Sequence, residues 1–401
     1  MLTAEENQRL TQCGPGTPAG ELLRRYWQAV CPTKELSGKA RKKRIQILGE
    51  KLLVLRKDDG SFACITEQCA HRNASLYFGF IEPDGIRCCY HGWKFDCTTG
   101  ACIERPFETA APTAKMNLRA YPVQQLGGLL FVYMGPDPAA APPLPHWDVI
   151  ARTDRPRTIA VLPDHKCNWL QIQENTVDTA HTYYLHGEFA AVNDLDSKGV
   201  AEYYHRPIEK YDWAVSHWGV EKTLVYGGDK PEVEIRPPLL FPNMLRVPVG
   251  PVESMHFRIP IDDTTTRIIW VGLMPAGSAP LLPDNEVPYE VRRDAPDLAI
   301  EDYDVTSVWQ QDRVVWETQG AIADRSRENL AATDRGIVMF RRMLQAQIDL
   351  VESGAAPTVA VVASEDAGQI ISFDSATQPW NEGVAPWYPG AEAKVIGASH
   401  G

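Results

Sequence analysis

EQCAHRNASLYFGFIEPDGIRCCYHGWKFD, residues 67–96, holds Cys69-x-His71 and, after sixteen further residues, Cys88-x-x-His91-Gly92-Trp93. Two thiolates and two imidazoles on two loops suit either a single tetrahedral zinc or a two-iron, two-sulfide cluster. Zinc ribbons and fingers usually pair cysteine with cysteine in one knuckle, whereas each loop here offers one of each. A cluster with both thiolates on one iron and both imidazoles on the other asks for that alternation. Spacing alone leaves Cys88 and Cys89 open, because Cys89-Tyr90-His91 is also C-x-H.

Around this stretch the pattern is β. RIQIL (44–48), KLLVL (51–55) and FACIT (62–66) are short apolar runs parted by Gly49-Glu50 and Asp58-Asp59-Gly60, a hairpin pattern. GGLLFVYM (127–134) continues it, and the prolines of GPDPAAAPPLPH (135–146) break it. Upstream, Thr17-Pro18 predicts a helix start, with Leu22, Leu23, Tyr26, Trp27 and Val30 on one face. Residues 1–140 are therefore expected to form one unit, an N-terminal helix plus a β domain.

Residues 141–354 are expected to form a second unit. It opens with a strand TIAVL (158–162) and a helical stretch from about Asn168 to Leu185. Antiparallel β follows over 200–275, with MHFRIPI and TRIIWVGLM the clearest strands. Helices are expected over about Ile300–Thr318 and from Asp334, as N-cap, to Gly354. Residues 355–401 are a Gly-, Ala-, Pro- and Ser-rich extension. The fold class is α+β.

At 401 residues, 44% hydrophobic and 23% charged, the chain is too apolar for disorder and long enough for two domains. A net charge of −12 argues against nucleic-acid binding. No apolar run approaches a membrane span, and MLTAEENQRL has no signal-peptide core, so a cytoplasmic location is expected. Nine cysteines without an export signal are expected to be free or metal-bound rather than paired.

A second constellation lies in CNWLQIQENTVDTAHTYYLHGEF (167–189), as Asp178-x-x-His181-x-x-x-x-His186. Asp178 and His181 share a helical face. His181 and His186 stand about 140° apart on an ideal helix, so convergence requires a bulge or an end near Leu185-His186-Gly187. Taken alone, such histidines are more often packing or surface residues.

Together the two constellations resemble the Rieske non-haem iron aromatic oxygenases. GPGTPAGELLRRYW, YPVQQLGGLLFVYMGP, CNWLQIQEN and LLFPNMLR carry the resemblance along nearly the whole chain, with TSVWQQDRVVWETQGAIADRSREN (306–329) as the family's Q-D segment. The runs look like the phthalate-dioxygenase-like subgroup, and within it like oxygenase components related to dehydrodivanillate O-demethylase. The resemblance implies an N-terminal antiparallel-β Rieske [2Fe–2S] domain followed by a helix-grip catalytic domain with flanking helices.

It implies Cys69, His71, Cys88 and His91 as cluster ligands, choosing Cys88 over Cys89. It implies mononuclear Fe(II) on His181, His186 and Asp312, with Asp302, Asp304 and Glu317 as competing carboxylates. Asp178 is implied as the relay that takes an electron from the His91 of a neighbouring subunit to His181. It also implies a separate NAD(P)H-dependent reductase carrying flavin and iron–sulfur, dioxygen and an aromatic substrate, and a homotrimer or stacked trimers. No strand-G-x-G-x-x-G-helix unit supplies a dinucleotide site within the chain.

The reaction expected is O-demethylation or monooxygenation of an aromatic acid or aryl ether, with cis-dihydroxylation of a ring as the alternative. A Rieske electron carrier or zinc-stabilised binding protein without chemistry of its own is the remote reading. His217, Trp218, Arg236 and Arg258 are candidates to face a substrate carboxylate, and GKARKKR (38–44) is a candidate reductase contact. Ordinary packing and solvated charge are the bland readings of these residues.

Overall fold

A computed structural model describes residues 2–195, 204–227, 232–247, 252–295, 298–373, 376–379 and 394–396, with backbone alone for 232–238 and the last two segments. It begins with a helix, Ala4–Thr11, that apolar patterning misses. A Thr3/Glu6 capping box closes its start: Glu6 N donates to Thr3 Oγ1 at 3.1 Å and Thr3 N to Glu6 Oε2 at 2.7 Å.

The helix expected after Thr17-Pro18 is short, Pro18–Leu23. Tyr26, Trp27 and Val30 lie beyond it. Gln28–Pro32 is a strand buried on both faces, paired with Leu129–Val132. A strand buried on both faces shows no alternation, so its apolar spacing imitates a helix.

The hairpin pattern folds as expected: Lys42–Ile47, Glu50–Arg56 and Phe62–Thr66 form a sheet with Ala120–Tyr121. A second four-stranded sheet, Phe80–Glu82, Gly85–Arg87, Lys94–Phe95 and Cys102–Glu104, supports the Cys/His loops. These loops close over a small core of their own, with Leu53, Ile65, Ile86 and Phe95 packed around Cys69 and Cys88. The main core is continuous across the proline run, joining Leu22, Val30 and Leu130 to Trp169, Val220 and Leu344.

The larger sheet runs in spatial order Ile208–Val215, Gly219–Tyr226, Glu232–Leu240, Met244–Val247, Glu253–Asp262, Thr265–Leu273, Arg157–Val161, Tyr289–Val291. Ala376–Pro379 adds to it along Glu232–Leu240, so the extension packs back onto this sheet. Three helical segments lie against it, and each corrects or confirms an expectation. The stretch expected from Asn168 to Leu185 is broken: an α-helix covers Trp169–Asn175 and a π-helix covers Thr182–Glu188. The helix expected over 300–318 starts later, at Val308–Thr318, after an isolated 3-10 turn at Ile300–Asp302. The last helix, Arg335–Glu352, matches its expected bounds, although the Asp334 side chain accepts from Ala331 N instead of capping it. Among the described residues no helix is long and apolar enough to cross a membrane.

Candidate metal centres and the adjoining cavity

The two Cys/His loops share one backbone plan. Cys69 N donates to Ala74 O at 2.9 Å and Asn73 N to Cys69 O at 2.9 Å. In the second loop Cys88 N donates to Trp93 O at 2.8 Å and Gly92 N to Cys88 O at 3.0 Å. The fourth residue after each cysteine turns left-handed, Asn73 at φ 58° and Gly92 at φ 75°, conformations that asparagine and glycine tolerate. A Cβ on Gly92 would also stand 3.0 Å from Pro106 Cγ.

This plan buries both thiols and brings the His71 and His91 rings to 4.6 Å between centroids. Trp93 stacks on His71 at 4.5 Å and 6°. His71 Nδ1 is buried without a hydrogen-bond partner. A buried imidazole nitrogen with no partner beside two buried thiols fits a metal cluster and is otherwise costly.

The second constellation converges because of the π-helix. One extra residue per turn closes most of the 140° gap between His181 and His186. Gly187 permits the close crossing of the chain, since a Cβ there would stand 3.1 Å from His205 N. His181, His186 and Asp312 form the one histidine–carboxylate group able to hold a metal among the described residues, their donor atoms all within 4.8 Å of one another. His186 Nε2 lies 3.3 Å and His181 Nε2 3.6 Å from Asp312 Oδ1.

His186 has a hydrogen-bond partner behind its ring, and His181 has a carboxylate nearby. His186 Nδ1 is 2.9 Å from Gln311 Oε1. Gln311 Nε2 donates to Val305 O at 3.0 Å, which turns its oxygen toward the ring. His181 Nδ1 is 3.3 Å from Asp178 Oδ2, and Ala180 N donates to Asp178 Oδ1 at 2.9 Å. Burial alone would raise the Asp178 carboxyl, yet His181 and the backbone N–H groups hold it below its ordinary value. Burial would likewise raise Asp312, and His186 followed by His181 outweighs it. Two imidazoles and one carboxylate converging on one site, with Gln311 hydrogen-bonded behind His186 and the Asp178 carboxylate near His181, fit a divalent iron with open positions. Gln311 was missed in the sequence, although its place beside Asp312 is the signal that could have found it.

A cavity of about 450 Å³ opens from this group toward the sheet. Trp270, Trp309, Trp316, Leu162 and Ile268 give it apolar walls, and Arg258 and His256 enter from the strand Glu253–Asp262. On the opposite side, Asp178 and His181 border an outer depression of about 510 Å³ with Tyr184 and Phe189.

The other candidates fall elsewhere. His217 Nε2 meets Val361 O at 3.1 Å, and Trp218 packs on Trp147 and Phe373, so neither lines the cavity. The Arg236 side chain lies outside the described residues. Of the competing carboxylates, Asp302 is exposed, Asp304 accepts from Thr306, and Glu317 is taken by Arg313 and Tyr303. In GKARKKR, Arg41 pairs with Asp58, Lys43 with Glu35 and Arg44 with Glu67, while Lys42 donates to Gly79 O. Those internal pairs leave little free charge for a reductase. Six of the seven spare cysteines are buried as expected, but Cys89 is exposed. Burial pushes the Cys31 and Cys97 thiols up to about 12, which keeps them inert.

Comparison with known proteins agrees with this geometry. The Rieske [2Fe–2S] domain model matches residues 26–122, and a model described as LigXa C-terminal domain-like matches residues 293–382. The 5,5'-dehydrodivanillate O-demethylase oxygenase subunit of Sphingobium sp. (strain NBRC 103272 / SYK-6) is 35% identical, over 90% of this chain and 84% of that protein. The phthalate 4,5-dioxygenase oxygenase subunit of Pseudomonas putida is 29% identical, over 94% of this chain and 92% of that protein. In fold, the terminal oxygenase of carbazole 1,9a-dioxygenase from Nocardioides aromaticivorans IC177 superimposes with a TM-score of 0.57 at 18% identity, over 86% of this chain and 96% of that one.

Proposed function

From the premise that this chain belongs to the Rieske non-haem iron oxygenases, we propose that it O-demethylates or monooxygenates an aromatic acid or aryl ether. It is the terminal oxygenase of a multicomponent system and carries a Rieske [2Fe–2S] cluster and a mononuclear iron. The electron-carrier and zinc-protein readings are set aside, because the relatives that span nearly the whole chain are oxygenases.

The residue assignments belong to the same proposal. Cys69, His71, Cys88 and His91 would hold the cluster, and His181, His186 and Asp312 the iron. Iron bound there supplies dioxygen activation, with electrons delivered through the cluster. The protein's own groups do the positioning. Gln311 accepts from His186 Nδ1–H and so leaves Nε2 unprotonated toward the site. Asp178, whose Oδ2 lies 3.3 Å behind His181 Nδ1, is proposed as the entry point for the electron from outside. The tryptophans lining the cavity offer flat faces to an aromatic ring.

For a methyl aryl ether the reaction consumes one dioxygen, two electrons and two protons. One oxygen enters the methyl C–H bond and the other leaves as water. The resulting hemiacetal breaks at its C–O bond to a phenol and formaldehyde.

The division into residues 1–140, 141–354 and 355–401 is proposed on the same grounds, as are the reductase with flavin and iron–sulfur and the trimeric assembly. Phe78, Phe80, Tyr90 and Phe107 are exposed around the cluster loops, an apolar face suited to a neighbouring subunit.

The observation that carries the catalytic reading is the His181–His186–Asp312 group opening onto an apolar cavity. Incubation with a Rieske-system reductase, NADH and a panel of methoxybenzoates and phthalates tests it. Formaldehyde released in step with NADH consumption is the expected result. A cis-diol without formaldehyde would favour ring dioxygenation, and no oxidation of any panel member would overturn the reading.

A further inference from the structure

Residues 176–181 join the helix Trp169–Asn175 to the π-helix Thr182–Glu188, and they carry Asp178 and His181. In a regular helix Thr176 N would donate to Ile172 O. Here it turns to Gln173 O at 3.1 Å, so the last turn tightens and Ile172 O is released.

Arg258 takes the released carbonyl. From the strand Glu253–Asp262 its Nη1 donates to Ile172 O at 2.7 Å, to Gln173 Oε1 at 3.1 Å and to Thr176 Oγ1. Two more side chains of the sheet claim the carbonyls that follow. Lys222 Nζ donates to Thr176 O, and Trp213 Nε1 donates to Val177 O at 2.9 Å.

Arg258, Lys222 and Thr176 are all buried. Among the described residues no carboxylate stands within ion-pair distance of Arg258; Asp312, whose charge it feels, faces His181 and His186. Burial lowers Arg258 only to about 10, and it stays charged at neutral pH. A buried cation without an acid is costly. The carbonyl end of a helix carries partial negative charge, and that end is the partner Arg258 has.

The consequence falls on the metal group. His186 and Asp312 are set by the π-helix and by Val308–Thr318, whereas His181 leaves from the helix end that Arg258 closes. We propose that Arg258 is a positioning residue of the metal site: by closing the end of Trp169–Asn175 it fixes the path of residues 176–181 and so sets His181 against His186 and Asp312. The inference rests on the metal assignment of the oxygenase reading above.

Amide hydrogen exchange on the full chain, with the cluster in place and iron removed from the histidine–carboxylate group, reads this without turnover. Thr176→Val is the discriminating variant, because it removes one bond of the cap and leaves the Arg258 charge in place. Exchange over 176–181 should rise about 10-fold in Arg258→Met and about 3-fold in Thr176→Val, with Arg335–Glu352 unchanged. Arg258→Lys should recover part of the loss. Iron affinity by equilibrium dialysis should fall about 10- to 100-fold in Arg258→Met and less in Thr176→Val. The electron paramagnetic resonance line shape of the ferrous nitric oxide adduct should change in both, a signature that lost global stability would not move.

Unchanged exchange over 176–181, or an equal rise along the whole chain, would overturn the proposal. If Arg258→Met does not fold, Thr176→Val alone decides by the same criteria. Weakened iron in Arg258→Met with wild-type iron and exchange in Thr176→Val would overturn it too, by reducing Arg258 to a charge that steadies Asp312. Wild type that binds no iron would sink the metal assignment, and the proposal with it. Wild type that binds iron but oxidises no aryl substrate would sink the oxygenase reading alone.

Discussion

Gln311 Oε1 sits 2.9 Å from His186 Nδ1, one residue before Asp312. The same helical turn therefore offers both a carboxylate and the group that orients a second donor. Helix Val308–Thr318 sets the spacing of the two, and Val305 O fixes which end of the Gln311 amide faces the ring. Gln311→Leu should weaken iron binding about 10- to 100-fold while leaving the cluster in place. Equilibrium dialysis of iron with the visible spectrum of the cluster checks both halves. Unchanged iron affinity would show that His186 needs no support from behind.

Asp178 meets His181 on one side and the outer depression on the other. Asp178→Asn keeps the shape but removes the charge. Both metals should stay bound, and turnover should fall by about 100-fold. Single-turnover oxidation of the pre-reduced cluster is the decisive readout. Normal oxidation kinetics in this variant would exclude Asp178 from the electron path.

Much of this was legible in the sequence, for reasons that differ from site to site. The Cys69/His71 and Cys88/His91 pairs are legible because each stands in a short run of fixed spacing, and both runs fold into tight loops of one backbone plan. The bulge between His181 and His186 is legible because an i+5 step cannot converge on a regular helix, and a π-helix is what the chain forms there. Gln28–Pro32 was misread as helix because burial on both faces erases the strand period. Asp304 and Glu317 were indistinguishable from Asp312 by composition. Only the fold shows Glu317 spent on Arg313 and Tyr303, and Arg258 left without an acid.

Glu317 also sets a pH dependence. Burial would raise its carboxyl, but His165 at 3.6 Å, Tyr303 Oη at 2.6 Å and Arg313 Nε at 2.8 Å bring it down to about 2. A depressed carboxyl contributes stability that is complete above its unfolded value and is lost as pH falls through the folded one. Glu317→Gln should therefore cost roughly 3 kcal/mol at pH 7. The gap from wild type should narrow only below about pH 4.5, toward pH 2. Denaturant midpoints of both proteins between pH 7 and pH 3 check this, and a gap independent of pH would contradict it.

Two iron centres in one chain make a countable claim. Iron, zinc and acid-labile sulfide per chain, measured on wild type and on His186→Ala, test it most directly. About three irons and two sulfides should fall to about two and two in the variant, with the cluster's colour retained. One zinc in a colourless protein, or iron unchanged by His186→Ala, would contradict it.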